Sequence, residues 1–337
     1  MLAAFSISAR GEDAMIALTR RTVVAGLSAS VAMPVSAATN WPDRPITIVQ
    51  GFPAGSAVDV VARIMAEGLS KRLGVQVIVE SKPGAAGTLA AGQVARAASD
   101  GHTLLAIPSG HAVAEATHKK LSYRTIEDFG FISMTVEYPF VLVTYPDHPI
   151  RTVADLIGTA RSRTTPLTYG SPGSGSLPHL SVELLGRMVN VQFQHVPYRG
   201  STQTVSDLLG QRIDFAMDPP ASYLQLIKDG QLRALAVSGA SPYFALPDVP
   251  TIAEAGVSGF VVTSWQGLVA PAGLPEPMLR RLNTAVAEIL AEPAVIERLK
   301  MLGNNPKPSS RDEFKARNAA DIEKWTAVVA SAKIERI

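Results

Sequence analysis

The stretch Ile48–Leu69, "IVQGFPAGSAVDVVARIMAEGL", joins an apolar run to a Gly/Pro/Ser loop and then, at once, to a long amphipathic pattern. Val58, Val61, Ala62, Met65, Leu69 and Leu73 recur near every 3.6 residues, so the spacing predicts a helix that ends at Gly74. Residues 46–50 before the loop read as a strand. Strand, small-residue loop and helix start, in that order, make a cradle for an anion. Unbonded N–H groups point out of the first helical turn, and the helix dipole lies behind them. Ser56-Ala57-Val58-Asp59 also has the Ser-x-x-Asp spacing of a capping box, in which the hydroxyl takes a free N–H and the carboxylate reaches back.

The same alternation continues along the chain. Apolar runs at 75–79, 103–107, 131–135 and 140–144 read as strands, with Tyr138-Pro139 parting the last two, and 89–98 reads as a helix. A second series follows: helices at 153–161, 180–188, 202–209 and 223–228, and strands at 167–169, 191–196, 214–217 and 233–237. Residues 261–270 read as extended, and 278–290 and 311–332 as helices. Strands alternating with helices predict an α/β protein with mostly parallel sheets, and two such series without a long linker predict two lobes.

The composition narrows the function. A chain of 337 residues with 47% hydrophobic and 18% charged residues can bury a full core. Thirty-one Lys and Arg against 29 Asp and Glu give a net charge of +2. That balance supplies no field for nucleic acid, and no basic cluster interleaves with aromatics. The absence of cysteine excludes disulfides, thiolate metal sites and a cysteine nucleophile.

The first residues read as a targeting segment. Arg20 and Arg21 precede a weakly apolar run, 23–35, which closes on Val35-Ser36-Ala37, an A-x-A-like cleavage pattern. We expect a signal peptide over 1–37, exported by the Sec or the twin-arginine route, with Met15 as an alternative start because Glu12 and Asp13 precede the basic pair. The run is too short and too mildly hydrophobic to span a bilayer. A soluble, exported mature protein is the expectation.

Ligands of open α/β sheets sit beyond the carboxyl ends of the strands. Those ends carry "GFPAGSAVD" (51–59), "PSGH" (108–111), "GSPGSGSLPH" (170–179), "PYRGS" (197–201) and "MDPPAS" (217–222), all rich in small residues. Ser176 and Ser201 are candidate helix caps. The candidate anion-binding amides lie at 55–57, 174–176 and 200–202, with Ser109 and Asp218 in supporting contact and Phe52 and Tyr198 against the ligand body. No Gly-x-x-x-x-Gly-Lys, Gly-x-Gly-x-x-Gly, Gly-x-Ser-x-Gly or His-Glu-x-x-His pattern is present. His102, His111, His118, His148, His179 and His195 lack metal-ligand spacing, although His179 and His195 lie near the candidate cleft. No cofactor, metal, nucleophile or acid–base pair is implied, so the reading is of a binding protein and not an enzyme.

These loops, with "WPDRPITIVQGFPAGSAVDVVAR", "VIVESKPGAAGTLAAGQVARAASDGHTLL", "HVPYRGSTQTVSDLLGQRIDFAMD" and "WQGLVAPAGLP", resemble the Bug/TctC family, the extracytoplasmic solute receptors of tripartite tricarboxylate transport systems. The likeness runs from about Trp41 to Trp325. It implies a type II periplasmic-binding-protein fold, with two α/β lobes joined by two crossing strands near Tyr138-Pro139 and 262–264. Lobe 1 would comprise 42–138 plus 264–337, the C-terminal helices included, and lobe 2 would comprise 139–263. It further implies a periplasmic monomer that holds a small carboxylate through main-chain amides and hands it to membrane subunits. Carried over by residue, the family loop corresponds to Phe52, Pro53, Ala54 and Gly55, with Ser56 for the usual second Gly, Val58 for the usual Thr, and Asp59 retained. The second loop matches at Gly173, Gly175, Ser176 and His179, with Pro172 and Ser174 for the more usual Ala and Asn. "HVPYRG" matches with Arg199 for the commoner Lys, leading through Tyr198 and Gly200 to Ser201 and Thr202. Asp218 matches, but Pro219-Pro220 replaces the usual Asn-Leu. A sensory receptor feeding a two-component system, or an enzyme on the same fold, are the alternatives.

Overall fold

The computed structural model describes residues 41–336; the expected signal segment lies outside them. The first run of elements is β1 (Ile46–Gln50), α1 (Ala57–Leu73), β2 (Val77–Ser81), α2 (Thr88–Val94), β3 (Thr103–Pro108), α3 (Gly110–Thr117) and β4 (Phe129–Pro139). The second is β5 (Val141–Thr144), α4 (Val153–Ser162), β6 (Thr168–Ser171), α5 (Leu177–Val189), β7 (Gln194–Pro197), α6 (Ser201–Leu209), β8 (Phe215–Asp218), α7 (Leu224–Lys228) and β9 (Arg233–Val237). The chain closes with β10 (Thr263–Pro271), α8 (Glu276–Leu290), α9 (Pro293–Met301), β11 (Asn305–Pro306) and α10 (Arg311–Ser331).

The strands form two sheets, ordered β11-β4-β10-β3-β1-β2 and β7-β6-β8-β5-β9. Without β11 they share one plan. A parallel trio (β2-β1-β3; β7-β6-β8) is followed by an antiparallel strand on which the chain arrives from the other sheet, and then by a fifth strand. The expectation of mostly parallel sheets is therefore corrected: both are mixed. The reason is the crossing itself, since β5 and β10 enter antiparallel to their new neighbours. Only Phe140 separates β4 from β5, and β10 begins opposite the end of β4, pairing Thr263 with Pro139. Ser238 ties the two crossings together. Its hydroxyl accepts from the Phe140 N–H at 2.8 Å and donates to the Val262 carbonyl at 2.6 Å.

Sequence rules account for the element ends. Ser56 caps α1 by accepting the Asp59 N–H, and Gly74 closes it at φ 73°, with Lys71 and Arg72 in the last turn complementing the dipole. The capping box is not completed. Asp59 takes the Gly55 N–H, while the Ser56 N–H bonds to the Pro53 carbonyl. Ser176 caps α5 as expected, but α6 starts one residue early, so Ser201 is its first residue behind an uncapped Gly200. β2 lies two residues later than expected, and the strand expected at 131–135 runs from Phe129 to Pro139. α3 and α9 were not foreseen.

On one face of the first sheet α1 and α8 pack Val61, Ile64, Met65 and Leu69 against Leu282, Val286 and Ile289. The other face buries Val94, Phe131, Trp265 and Phe314. The second sheet buries Leu180, Leu185, Phe215 and Met217 on one face and Val141, Leu208, Tyr223 and Tyr243 on the other. α10 belongs to both sheets. Phe314, near its start, packs with the first, and Trp325, Val328 and Val329, near its end, pack with the second.

Candidate functional site

The starts of α1, α3 and α5 open on one cavity of about 400 Å³. Phe52 and residues 56–58 form one wall, 172–177 face them, and Pro108, Val113, Ala114 and Thr117 form the floor with Tyr138 at the end of β4. Phe52, Val58, Val113 and Leu177 make much of this lining apolar, and no Lys or Arg contributes to it. The N–H groups of Ala57 and Val58 in α1, and of Ser174 and Leu177 at α5, have no partner among the described residues. Such first-turn amides, with the dipole behind them, attract a carboxylate without a cationic side chain.

The loop before α1 is held from beneath. Gln50, fully buried at the end of β1, donates to the Phe52 carbonyl at 2.8 Å and accepts from the Phe52 N–H at 2.7 Å. Asp59 accepts from the Gly55 N–H at 2.9 Å and from Arg63 Nε at 2.8 Å, with Ser81 Oγ at 3.3 Å. Burial pushes the Asp59 carboxyl up, but the Arg63 and Gly55 donors outweigh it and hold it below the usual carboxylate range. A Cβ on Gly51 would stand 2.3 Å from Gly87 Cα, so the loop needs glycine there to pass the 85–87 turn.

The facing loop is held by histidines. His179 Nδ1 accepts from the Gly175 N–H at 2.9 Å, which fixes the ring as the neutral tautomer protonated on Nε2. His195 Nε2 lies 2.7 Å from Ser171 Oγ, which in turn donates to the Gly173 carbonyl. Burial, then the neighbouring His195, pushes His179 down to about 3; burial pushes His195 down to about 4.

Of the residues singled out in the sequence, Phe52, Ser56, Ala57, Gly173, Ser174, Gly175 and Ser176 line the cavity. Ala54 and Gly55 are exposed, the Gly55 N–H being engaged by Asp59. Asp59, Ser109, His179 and Asp218 are buried behind the walls. Ser109 Oγ lies 2.8 Å from Ser264 Oγ. Tyr198, Gly200, Ser201 and Thr202 do not line this cavity, and the Tyr198 hydroxyl donates to Asp207 at 2.8 Å. Val113, Ala114, Thr117 and Tyr138 are lining residues that sequence reasoning missed. The signal for Tyr138 was present, because a crossing point at Tyr138-Pro139 must flank the gap it spans.

Two sheets that exchange one strand each, with helix starts from both gathered on a cavity beside the crossings, define a two-lobed solute-binding protein of the type II periplasmic kind. The family model described as "Tripartite tricarboxylate transporter family receptor" matches residues 61–334, and the chain belongs to that TctC family. It is similar to the structure described as "R. palustris Rpa4515 with adipate", at 34% identity and TM-score 0.78, over 88% of this chain and 100% of that one. It is also similar to "MatC (Rpa3494) from Rhodopseudomonas palustris with bound malate", at 33% identity and TM-score 0.73, over 86% of this chain and 100% of that one. "Structure of periplasmic binding protein BugD" matches at 31% identity and TM-score 0.73, over 88% and 99%. Among the described residues no helix is long and apolar enough to cross a membrane.

Proposed function

We propose that the chain is an exported receptor that captures a small carboxylate between two lobes, 42–138 plus 264–337 and 139–263, and delivers it to the membrane subunits of a tripartite transporter. The observation that carries this reading is the cavity itself: amides of Ala57, Val58, Ser174 and Leu177 without a partner among the described residues, an apolar body wall, and no Lys or Arg in the described lining. Each amide–carboxylate bond contributes about 1.5–3 kcal/mol, so two or three plus apolar enclosure reach micromolar affinity, about −8 kcal/mol, after association costs. The adipate and malate of the similar structures are carboxylates of a size this cavity admits. The family description favours delivery to a transporter over delivery to a sensor kinase. The basic pair and small-residue pattern before Ala37, together with the periplasmic description of BugD, favour a periplasmic location. Binding and closure complete the cycle without a covalent step.

A thermal-shift series of the mature protein against carboxylates, adipate and malate included, with sugars and amines as comparison, tests this. At a hundredfold excess over Kd the expected stabilisation is about 2.7 kcal/mol. A shift from sugars or amines with none from any carboxylate overturns the assignment.

A further inference from the structure

Asp218 ends β8 with its side chain wholly buried. Its Oδ2 accepts from the Tyr223 hydroxyl at 3.3 Å, and its Oδ1 has no partner among the described residues. An ionised carboxylate held in that way lacks both the hydrogen bonds and the counter-charge that burial normally demands.

The groups around it come from four elements. Ser201 opens α6, and Tyr223 lies between β8 and α7; both hydroxyls favour the charged form. From the crossing strands come Tyr138 of β4, which lines the cavity, and Ser264 and Gln266 of β10, which flank the Tyr138 phenol. Gln266 Nε2 is itself buried without a partner among the described residues. The titratable groups facing Asp218 are thus Tyr138 and Tyr223. Burial pushes both phenols up, and the negative charge of Asp218 adds to the shift, so both stay neutral. Among the described residues no charged side chain is placed to compensate Asp218.

We propose that Asp218 couples the cavity to protons: when a carboxylate enters beside Tyr138, the Asp218 carboxyl takes up one proton from solvent, and the complex releases its anion as the pH rises. The proposal rests on the carboxylate-binding reading above and adds to it the regulation of that site. Burial, opposed by the Ser201 and Tyr223 hydroxyls, pushes the free carboxyl up to about 7. A second negative charge in the adjoining low-dielectric space favours the neutral acid further. Below the free-state value Asp218 is already protonated and affinity is complete. Above it each binding event must draw a proton, and affinity falls by up to tenfold per pH unit. Once protonated, the acid can also donate a hydrogen bond, which an ionised carboxylate cannot.

The imidazole of His118 lines the same cavity, so the test must separate the two residues. Calorimetric titration of the full chain with adipate and with malate at pH 6.5, 7.5 and 8.5, each in two buffers of different ionisation enthalpy, measures affinity and proton count together. The expected result is a fall in affinity of severalfold to tenfold between pH 7.5 and 8.5, with proton uptake approaching one at pH 8.5. Asp218→Asn flattens the profile and abolishes the uptake; His118→Gln, which alters the cavity lining and so shifts affinity at every pH alike, keeps the slope and the uptake. Should Asp218→Asn not fold, retention or loss of uptake in His118→Gln still assigns the proton. Binding with a flat profile and no uptake overturns the proton coupling alone, as does an Asp218→Asn variant that keeps the wild-type slope, or a His118→Gln variant that loses it. Failure of every carboxylate to bind at any pH overturns the binding reading and this one with it.

Discussion

The imidazole rings of His179 and His195 lie stacked 3.9 Å apart and 10° from parallel, beneath the loop that faces α1 across the cavity. Sequence reading places both near the cleft as candidate ligand contacts, and the fold instead makes them a support. Both rings are held below the ordinary histidine value, so the folded state binds fewer protons than the unfolded chain between about pH 6.5 and the folded values near 3 and 4. Their contribution to stability is complete above about pH 6.5 and is lost as pH falls through that window, at up to about 1.4 kcal/mol per pH unit for each proton difference. Denaturant midpoints should fall between pH 6.5 and 4.5, and His195→Phe, which keeps a ring in the stack, should flatten part of that slope. An unaltered slope in His195→Phe would exclude the pair as its source.

Gly68 lets α1 approach α8. A Cβ there would meet the Ile289 side chain at 2.6–2.8 Å. Alanine in a helix interior gains up to about 1 kcal/mol over glycine, but overpacking a close-packed seam costs about 1–3 kcal/mol, and the contact involves both γ carbons of the β-branched Ile289 as well as its δ-methyl. Gly68→Ala is therefore expected to lower the melting temperature. Adding Ile289→Val should recover part of the loss, because the δ-methyl at 2.8 Å is removed. A Gly68→Ala variant more stable than the parent would show that the two helices have room to spare.

Much of the first sheet was legible because local signals agree there. A strand stops at a glycine, a serine caps the next helix, and a left-handed glycine ends it. The expected strand closes at Thr135, short of Glu137, where the apolar run of β4 breaks. Their partners are far away in sequence, Thr135 Oγ1 donating to the Gln266 carbonyl at 3.1 Å and Glu137 accepting from Arg317 at 2.9 Å and Thr263 at 2.7 Å. α3 escaped notice for the opposite reason. Six of its eight residues are buried, so "GHAVAEAT" has no polar face to give it a period. The same distinction holds at the site. Lining loops read directly from Gly, Ser and Pro, whereas the groups beneath them, Gln50 and the histidine stack, are assembled by strand pairing that no local pattern encodes.

Ser238 offers a test of how the crossings are held. It is fully buried, and besides its two side-chain bonds its N–H donates to the Phe140 carbonyl at 2.9 Å and its carbonyl accepts from the Val262 N–H at 2.7 Å. Ser238→Ala leaves the Phe140 N–H and the Val262 carbonyl without their side-chain partner in a dry site, a cost of about 1–3 kcal/mol for such groups. The melting temperature should fall, and hydrogen exchange should accelerate at Phe140 while strands β1–β3 keep their protection. Uniform acceleration across the molecule would mean that the serine supports global stability and not the crossings in particular.

Asp59 separates a role in shaping the site from contact with the ligand. Its carboxylate collects the Gly55 N–H, Arg63, Ser81 Oγ and Gln50 Nε2. Held below the usual range, it stays ionised at neutral pH, and its contribution to stability is present above about pH 4 and lost as pH falls through its folded value. Asp59→Asn replaces one acceptor oxygen with an NH₂ donor, so at least one of those donors meets another donor. Loss of about 1–3 kcal/mol of stability is expected for the unmet groups. The Phe52–Ser56 loop remains attached through Gln50 but loses its hold at Gly55, and carboxylate affinity should drop at least tenfold although Asp59 lies outside the cavity lining. Denaturant unfolding and calorimetric titration at pH 7, run on the same preparation, measure the two effects. A variant that loses stability yet binds adipate or malate with the parent's affinity would show that the Gly55 tether does not position the α1 amides.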